Sequence, residues 1–154
     1  MALLNMTDLR AGLARGQRLL GLDPGSKTIG LALSDATLML ASPYDTLRRA
    51  KLSVNARELS AITTRERVGG LVCGLPLSLD GTLGPAAQAI RDWATALSEQ
   101  TDLPLALWDE RLSSSAVNRM LISELDITRA RRAEIVDKVA AAYILQAALD
   151  ASAS

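Results

Sequence analysis

The chain has 154 residues, of which 49% are hydrophobic and only 3% aromatic, a composition typical of one folded domain with an aliphatic core. Its 17 basic and 17 acidic residues leave no net charge, so no global electrostatic attraction to nucleic acid is expected. Of the basic residues, 14 are arginine, the side chain best suited to bidentate contact with phosphate. Histidine is absent and Cys73 is the one cysteine. These absences exclude His-ligated zinc, Ser-His-Asp triads and internal disulfides.

Residues 1–17 are predicted to form an N-terminal extension with a short helix from Thr7 to Ala14. They lack the charged start and the longer apolar core of a signal peptide, and no apolar run reaches the roughly 18–20 residues of a membrane-spanning helix. We therefore expect a cytoplasmic protein whose single domain covers residues 18–150.

The first part of this domain, residues 18–35, contains two short apolar runs separated by the turn-like segment Asp23–Ser26. This pattern predicts an antiparallel hairpin with Asp23 at the end of its first strand. Glycines at 25 and 30 would leave the backbone open to a ligand, although an isolated Asp-Pro-Gly also serves as a simple turn cap. Residues 37–43 predict a third strand, followed by a turn at residues 44–45.

The second half of the chain alternates helical periodicity with short apolar runs. The predicted helices cover residues 51–67, 85–100, 113–124 and 133–148, and the predicted strands cover residues 68–73 and 104–108. Strands that alternate with helices pair in parallel through right-handed crossovers. We therefore predict an α/β fold with a mixed sheet, three antiparallel strands followed by parallel ones, and helices on both faces.

Four acidic residues stand out from those expected on solvated helix faces. Asp23 ends the first strand, Asp109 and Glu110 end the last strand, and Asp137 lies near the start of the last helix. Strand ends at one edge of an α/β sheet are where ligands usually bind. An acid near a helix N-terminus also has a purely structural explanation in the helix dipole, but the alanines at 140–142 would let this helix approach the sheet closely and bring Asp137 toward Asp23.

Crowded carboxylates repel one another and need a cation. Without histidine, and with a single cysteine, oxygen ligands favour Mg²⁺ or Mn²⁺. Two such ions roughly 4 Å apart can bind the attacking and leaving oxygens of a phosphodiester. The spacing therefore suggests a metal-dependent nuclease, without establishing one.

Four segments resemble, in order, the motifs of the YqgF family, the RuvX-like proteins with a ribonuclease H-type fold. They are LGLDPGSKTIGLALSD at 20–35, VCGLPLSLDGT at 72–82, DERLS at 109–113 and VDKVAA at 136–141. The resemblance extends from about residue 18 to residue 150. It implies a bacterial nuclease that processes the 5′ end of pre-16S ribosomal RNA, with a role in ribosome biogenesis, or that resolves Holliday junctions.

The resemblance also implies an acidic metal site. Carried onto this chain, the site consists of Asp23, the acid of the 109–111 block and Asp137. Asp109 lies in register with Leu105 and Leu107, and Glu110 with Ala106 and Trp108. A strand covered on both faces gives no polarity to choose between them, so both are candidate metal ligands, and Glu110 is the slightly favoured catalytic residue.

Basic residues near these acids are candidates for nucleic-acid binding. Lys27 in the hairpin and Arg111 beside the acids could hold phosphate, although such residues are often simply solvated. Arg129, Arg131 and Arg132 form a predicted basic turn immediately before the last helix. The loop from Gly74 to Gly84 is expected to border the substrate groove.

Several other functions compete with the nuclease as explanations of these motifs. A P-loop is rejected because Ser26 stands where that motif requires glycine and a strand follows instead of a helix. The hairpin also resembles that of actin-like ATPases and sugar kinases, which need two such domains. A non-catalytic nucleic-acid or protein-binding module stays open. Junction resolution would favour a homodimer, because junctions are two-fold symmetric, whereas trimming an RNA end needs no symmetry.

Overall fold

The structure, a computed structural model, describes residues 3–113 and 128–153. The described strands are β1 (Leu3–Leu4), β2 (Arg18–Pro24), β3 (Thr28–Ser34), β4 (Ala41–Arg48), β5 (Val68–Leu75) and β6 (Leu105–Asp109). The described helices are α1 (Met6–Ala11), α2 (Leu52–Glu66), α3 (Pro85–Thr101) and α4 (Arg129–Ser152), with a 3-10 helix at Glu110–Leu112. The helix predicted over residues 113–124 lies almost entirely outside the described residues.

The described strands form one sheet in the order β1-β6-β5-β2-β3-β4. β2, β3 and β4 are antiparallel neighbours, whereas β5 is parallel to β2 and β6 is parallel to β5. The predicted mixed sheet is therefore confirmed. Because β2, β5 and β6 run in the same direction, their carboxyl ends meet at one edge, which we call the acidic edge after Asp23, Asp109 and Glu110.

Helices cover both faces of the sheet, as predicted, and each face has its own aliphatic core. The first core joins α2 and α3 to side chains that include Leu20, Leu22, Leu31, Leu71 and Leu105. The second core joins α1 and α4 to side chains that include Leu19, Ala32, Val72 and Ala106. Strand residues thus alternate between two buried faces, which explains why these strands read as nearly continuous apolar runs.

The N-terminal segment packs onto the same sheet. Leu3 and Leu4 pair in parallel with Leu105 and Ala106 of β6, and Met6 and Leu9 of α1 are buried. The side chain of Asn5 accepts a hydrogen bond from the backbone N–H of Asp8 at 2.8 Å. This N-cap starts α1 one residue before the predicted Thr7, and the helix ends at Ala11 instead of Ala14.

The prediction for β4 was wrong in position. The strand covers Ala41–Arg48, so Tyr44 and Asp45 lie inside it and do not form a turn. β4 is an edge strand, where Pro43 is tolerated because no neighbour needs its missing N–H. A register shift opposite Leu31 and Ala32 takes up Tyr44 as an extra residue.

The start of α4 also differs from the prediction. The helix begins at Arg129, so Arg129, Arg131 and Arg132 form its first turn and not a turn before it. The hydroxyl of Thr128 accepts a hydrogen bond from the backbone N–H of Arg131 at 3.3 Å. A threonine N-cap followed by arginine and alanine, both strong helix formers, accounts for the earlier start.

The loop between β3 and β4 is organised by one carboxylate. Asp35 accepts hydrogen bonds from the backbone N–H groups of Met39 and Leu40, at 2.8 and 3.0 Å, and from the hydroxyl of Thr37. These bonds, with the Leu40 N–H as the largest cause, lower the pKa of Asp35 from 3.8 to about 2. The loop lies at the edge opposite to the acidic edge.

We predict that Asp35→Ala lowers the free energy of unfolding at pH 7 by about 1 kcal/mol, a value reduced for solvent screening at this partly exposed position. Because the folded pKa is depressed, the contribution is complete above the unfolded value of 3.8 and is lost as the pH falls toward 2. Urea denaturation at several pH values checks this. Asp35→Asn, which keeps an acceptor, should lose less, and an Asp35→Ala difference that does not shrink in acid would contradict the assignment.

Candidate active site

Asp23 is the central residue of the acidic edge. It is the second-last residue of β2 and its side chain is buried, with 3% exposed. On one side it pairs with Gly30 of β3, and on the other the register that pairs Leu22 with Cys73 places Gly74 of β5 beside it. Its carboxylate therefore lies between two positions that carry no side chain.

Asp23 faces α4. A Cβ built on Gly21, two residues earlier on the same face of β2, would lie 2.9 Å from Cβ of Leu145 in α4. Because side chains alternate along a strand, Asp23 points to that same face. The absence of side chains at 21, 30 and 74 is what lets α4 approach the sheet here.

Glu110 lies on the same face, across Gly74. A Cβ built on Gly74 would lie 2.9 Å from Oε1 of Glu110 and 2.7 Å from Cδ1 of Ile144 in α4. Burial chiefly raises the pKa of the Cys73 thiol, and the charges of Asp23 and Glu110 raise it further. The thiol therefore stays protonated at neutral pH, close to the carboxylates of Asp23 and Glu110.

Asp137 approaches Asp23 from the other side. A Cβ on Gly30 would collide with the backbone carbonyl of Asp137, so α4 rests directly on the backbone of β3 at this point. The hydroxyl of Thr28 donates a hydrogen bond to the Asp137 carboxylate. Gly30 thus leaves room for α4 and not for a ligand, which corrects the interpretation made from the sequence.

Asp109 belongs to the opposite face of β6. Its carboxylate accepts hydrogen bonds from Nε and Nη2 of Arg111, at 3.0 and 2.7 Å. The hydrogen bonds from Arg111 hold the pKa of Asp109 below its ordinary value. Arg111 also donates from Nη1 to the backbone carbonyl of Leu79 at 3.0 Å. The structure therefore brings Glu110, and not Asp109, onto the face that carries Asp23.

The donor set fits a hard divalent cation. Asp23, Glu110 and Asp137 all offer carboxylate oxygens, and Asp23 lies between the other two, where mutual repulsion favours a positive ion. Among residues 3–113 and 128–153, no three acidic or cysteine side chains form a ready-made metal-binding group. The structure thus places the donors on one face of one edge without closing them into a complete coordination shell.

The predicted basic residues lie around this edge. Lys27 is exposed at the tip of the β2–β3 hairpin. Arg129 and Arg131 are exposed in the first turn of α4 and Arg132 is half-buried there, about one and a half to two turns before Asp137. The backbone carbonyl of Glu134 accepts a hydrogen bond from Thr46 of β4 at 2.9 Å, which fixes the start of α4 against the sheet.

Sequence reasoning missed several supporting residues. Thr28 lies in the 20–35 motif and Gly74 in the 72–82 motif, so membership of these motifs was the signal that could have identified them. Arg49 carried none: its backbone N–H donates to the carbonyl of Lys27 at 2.8 Å, and its Nη1 donates to the carbonyl of Gly25 at 2.6 Å. Its guanidinium also lies 5.5 Å from the ring centre of Trp93, so α3 supports the hairpin.

The sequence model of the RuvX family, described as Holliday junction resolvase, matches residues 17–151. The chain belongs to the RuvX family. A protein of Gluconacetobacter diazotrophicus, named "putative pre-16S rRNA nuclease", is 70% identical over 153 residues, with 99% of each chain covered. A protein of Gluconobacter oxydans with the same name is 64% identical over 152 residues, covering 99% of this chain and 95% of the relative.

A solved structure supports the fold. RuvC of Thermus thermophilus, in complex with a Holliday junction substrate, matches with a TM-score of 0.53 at 11% identity, covering 88% of this chain and 94% of that one. The ribonuclease H-like fold predicted from the resemblance is thereby confirmed. The family descriptions are those of nucleases, so this chain belongs with enzymes that hydrolyse nucleic acid. No helix in the described part of the chain has the length and apolarity needed to cross a membrane.

We predict that Gly30→Ala destabilises the protein by about 1–3 kcal/mol, because the new methyl group would force α4 away from β3. Gly12→Ala is the matched control: its methyl group would meet only ordinary contacts, at 3.6 and 3.7 Å. Chemical denaturation of both variants measures the difference. Equal stability of Gly30→Ala and the native chain would mean that α4 does not rest on β3 as described.

Proposed function

We propose that this protein is a metal-dependent nuclease that hydrolyses phosphodiester bonds at the 5′ end of pre-16S ribosomal RNA. The observation that carries the proposal is the buried Asp23 between Glu110 and Asp137, on one face of one sheet edge. The names of relatives that are 70% and 64% identical over nearly the whole chain support this choice of substrate.

In the proposed mechanism, Asp23, Glu110 and Asp137 would hold Mg²⁺ or Mn²⁺. When bound there, one such ion would lower the pKa of a bound water and a second would stabilise the leaving oxygen. Thr28 fixes the orientation of the Asp137 carboxylate through its hydroxyl. Lys27 and the arginines of the first turn of α4 bind phosphates of the nucleic acid near this edge. A side-chain general base is not required, which suits a chain without histidine.

The geometry favours Glu110 over Asp109 as the second ligand. Glu110 shares with Asp23 the face that is covered by α4, whereas the Asp109 carboxylate is engaged by Arg111. Recruiting Asp109 to a metal would require breaking these charge-assisted hydrogen bonds. We therefore propose that Asp109 holds Arg111 in place and is not a metal ligand.

We predict that Asp23→Asn and Glu110→Gln each reduce cleavage roughly a hundredfold or more, because each removes a ligand charge from the metal. Asp109→Asn should reduce it much less. The measurement is cleavage of a precursor ribosomal RNA 5′ end with Mg²⁺ or Mn²⁺, alongside the same reaction with EDTA. A four-way DNA junction is tested in parallel.

Thermal unfolding of each variant serves as the control for folding. Greater loss in Asp109→Asn than in Glu110→Gln would reverse the assignment of the ligand. If the folded native protein cuts neither substrate, the non-catalytic binding module becomes the better explanation.

Junction resolution is the second candidate function. It is favoured by the description of the family model and by the structural likeness to RuvC, a protein solved with a junction substrate. Cutting a two-fold symmetric junction would require two copies of the active site, so this function predicts a homodimer. Cleavage of the DNA junction, but not of the precursor RNA, would establish it.

We predict that replacing Arg129, Arg131 and Arg132 by glutamine flattens the salt dependence of RNA binding. Each lost phosphate contact should reduce the slope of log K against log salt by roughly 0.7–0.9. Titrations of binding at several salt concentrations measure this slope. The matched control replaces three exposed arginines on other elements, Arg15, Arg57 and Arg91, and should leave the slope unchanged. An unchanged slope in the first variant would count against the contact.

A further inference from the structure

The loop between β5 and α3, residues 76–84, emerges at the acidic edge and has a defined shape. The backbone N–H of Ser78 donates to the carbonyl of Thr82 at 3.0 Å, and that of Gly81 donates to the carbonyl of Ser78 at 2.8 Å. Thr82 donates from its backbone N–H and its hydroxyl to the Asp80 carboxylate, at 3.0 and 2.7 Å. Gly81 has a φ of 87°, which glycine adopts without strain.

Arg111 holds this loop against the end of β6. Its guanidinium donates to both oxygens of Asp109 and, from Nη1, to the carbonyl of Leu79. A Cβ on Gly81 would lie 3.4 Å from Nη2 of Arg111, so the guanidinium packs along the tip of the loop. We call this arrangement of Asp109, Arg111 and the Leu79 carbonyl the latch.

The latch presents an apolar side chain to solvent. The backbone of Leu79 is fixed by Arg111, yet its side chain is 96% exposed, the highest value among the exposed large apolar side chains of the described residues. The charged groups nearby already interact within the protein: Arg111 forms an ion pair with Asp109, and the Asp80 carboxylate accepts hydrogen bonds from Thr82. At this point the edge therefore offers a substrate apolar contact and little charge.

We propose that the 76–84 loop is a substrate-contacting element, in which the latch positions Leu79 against a base or sugar of the nucleic acid bound at the acidic edge. This inference rests on the proposed function, since it requires nucleic acid at this edge. Nucleic acids expose apolar base faces wherever strands are unpaired or unstacked, and leucine is among the side chains that insert at such steps. Asp109 and Arg111 act as positioning residues.

The chain provides a matched control. Leu40 is 66% exposed and lies in the loop organised by Asp35, at the edge opposite to the acidic edge. If exposed leucines contributed to binding only through nonspecific hydrophobic contact, replacing Leu40 would weaken binding as much as replacing Leu79. A contact at the acidic edge predicts weaker binding for the Leu79 variant alone.

The test is equilibrium binding in an Asp23→Asn background, so that cleavage does not interfere. The probes are a precursor ribosomal RNA 5′ end and a four-way DNA junction. Leu79→Ser should weaken binding to at least one probe roughly three- to tenfold, the loss expected for part of a buried leucine. The salt slope should stay unchanged because no phosphate contact is lost. Leu40→Ser should bind like the parent.

A double-mutant cycle tests the latch. With Arg111→Met the loop is released, so adding Leu79→Ser should weaken binding by less than twofold more. Asp109→Asn provides a second, milder disruption of the latch in case Arg111→Met does not fold. In that background, adding Leu79→Ser should weaken binding less than it does with the latch intact. Additive effects in both backgrounds would show that the latch does not position Leu79.

The outcomes separate this inference from the proposed function. A native protein that cuts RNA while Leu79→Ser binds and cuts normally would overturn the inference and leave the function intact. A native protein that cuts neither probe, while Leu79→Ser weakens binding as expected, would support the inference and overturn the function. If the parent binds neither probe, the inference is overturned as well.

Discussion

The close approach of α4 to the sheet is the constraint on which the acidic edge depends. Gly21, Gly30 and Gly74 lie on three neighbouring strands, and at each of them a side chain would occupy space that α4 or Glu110 already fills. With larger residues there, the helix would lie further out, and Asp137 would move away from β3. Packing within a protein interior has little free volume, so such a shift is transmitted to every residue on the contact.

This packing brings like charges together, which by itself destabilises the folded state. Asp23 is buried, and Glu110 and Asp137 flank it. The surrounding structure compensates in part, because the hydroxyl of Thr28 donates a hydrogen bond to the Asp137 carboxylate. The buried Cys73 stays a neutral thiol, so it adds no third charge beneath the acids. Crowded acidic positions of this kind are expected where function requires them.

The sequence predicted the architecture well because its signals are local. Apolar runs, helical periodicity and the proline at the start of α3 gave the order of strands and helices from β2 to α4, and the parallel pairing followed from alternation. The error at β4 arose at Tyr44 and Asp45, which were predicted as a turn after Pro43 but lie inside an edge strand with a register shift. The first turn of α4 was missed because a cluster of arginines suggested a solvated turn, whereas Thr128 caps a helix there.

The site itself was only partly predictable. Strand ends identified Asp23, Asp109 and Glu110 as candidates, but a strand buried on both faces does not reveal which side chain faces α4. That choice depends on the register of β5 and β6 and on the glycine at 74, which are tertiary facts. The hydrogen bond from Arg111 to the backbone carbonyl of Leu79 could not be predicted from the sequence either, because it joins residues 32 positions apart and its acceptor is not a side chain.

We propose that α4 and the glycines of the sheet bring Asp23, Glu110 and Asp137 together as one cation site. The most direct test of this proposal is a crystal structure of the protein grown with Mn²⁺, with the metal located by anomalous scattering. We expect a peak within coordination distance of carboxylate oxygens of Asp23 and Glu110, on the face covered by α4. A peak bound by Asp109 without Asp23, or no peak at this edge at a saturating Mn²⁺ concentration, would contradict it.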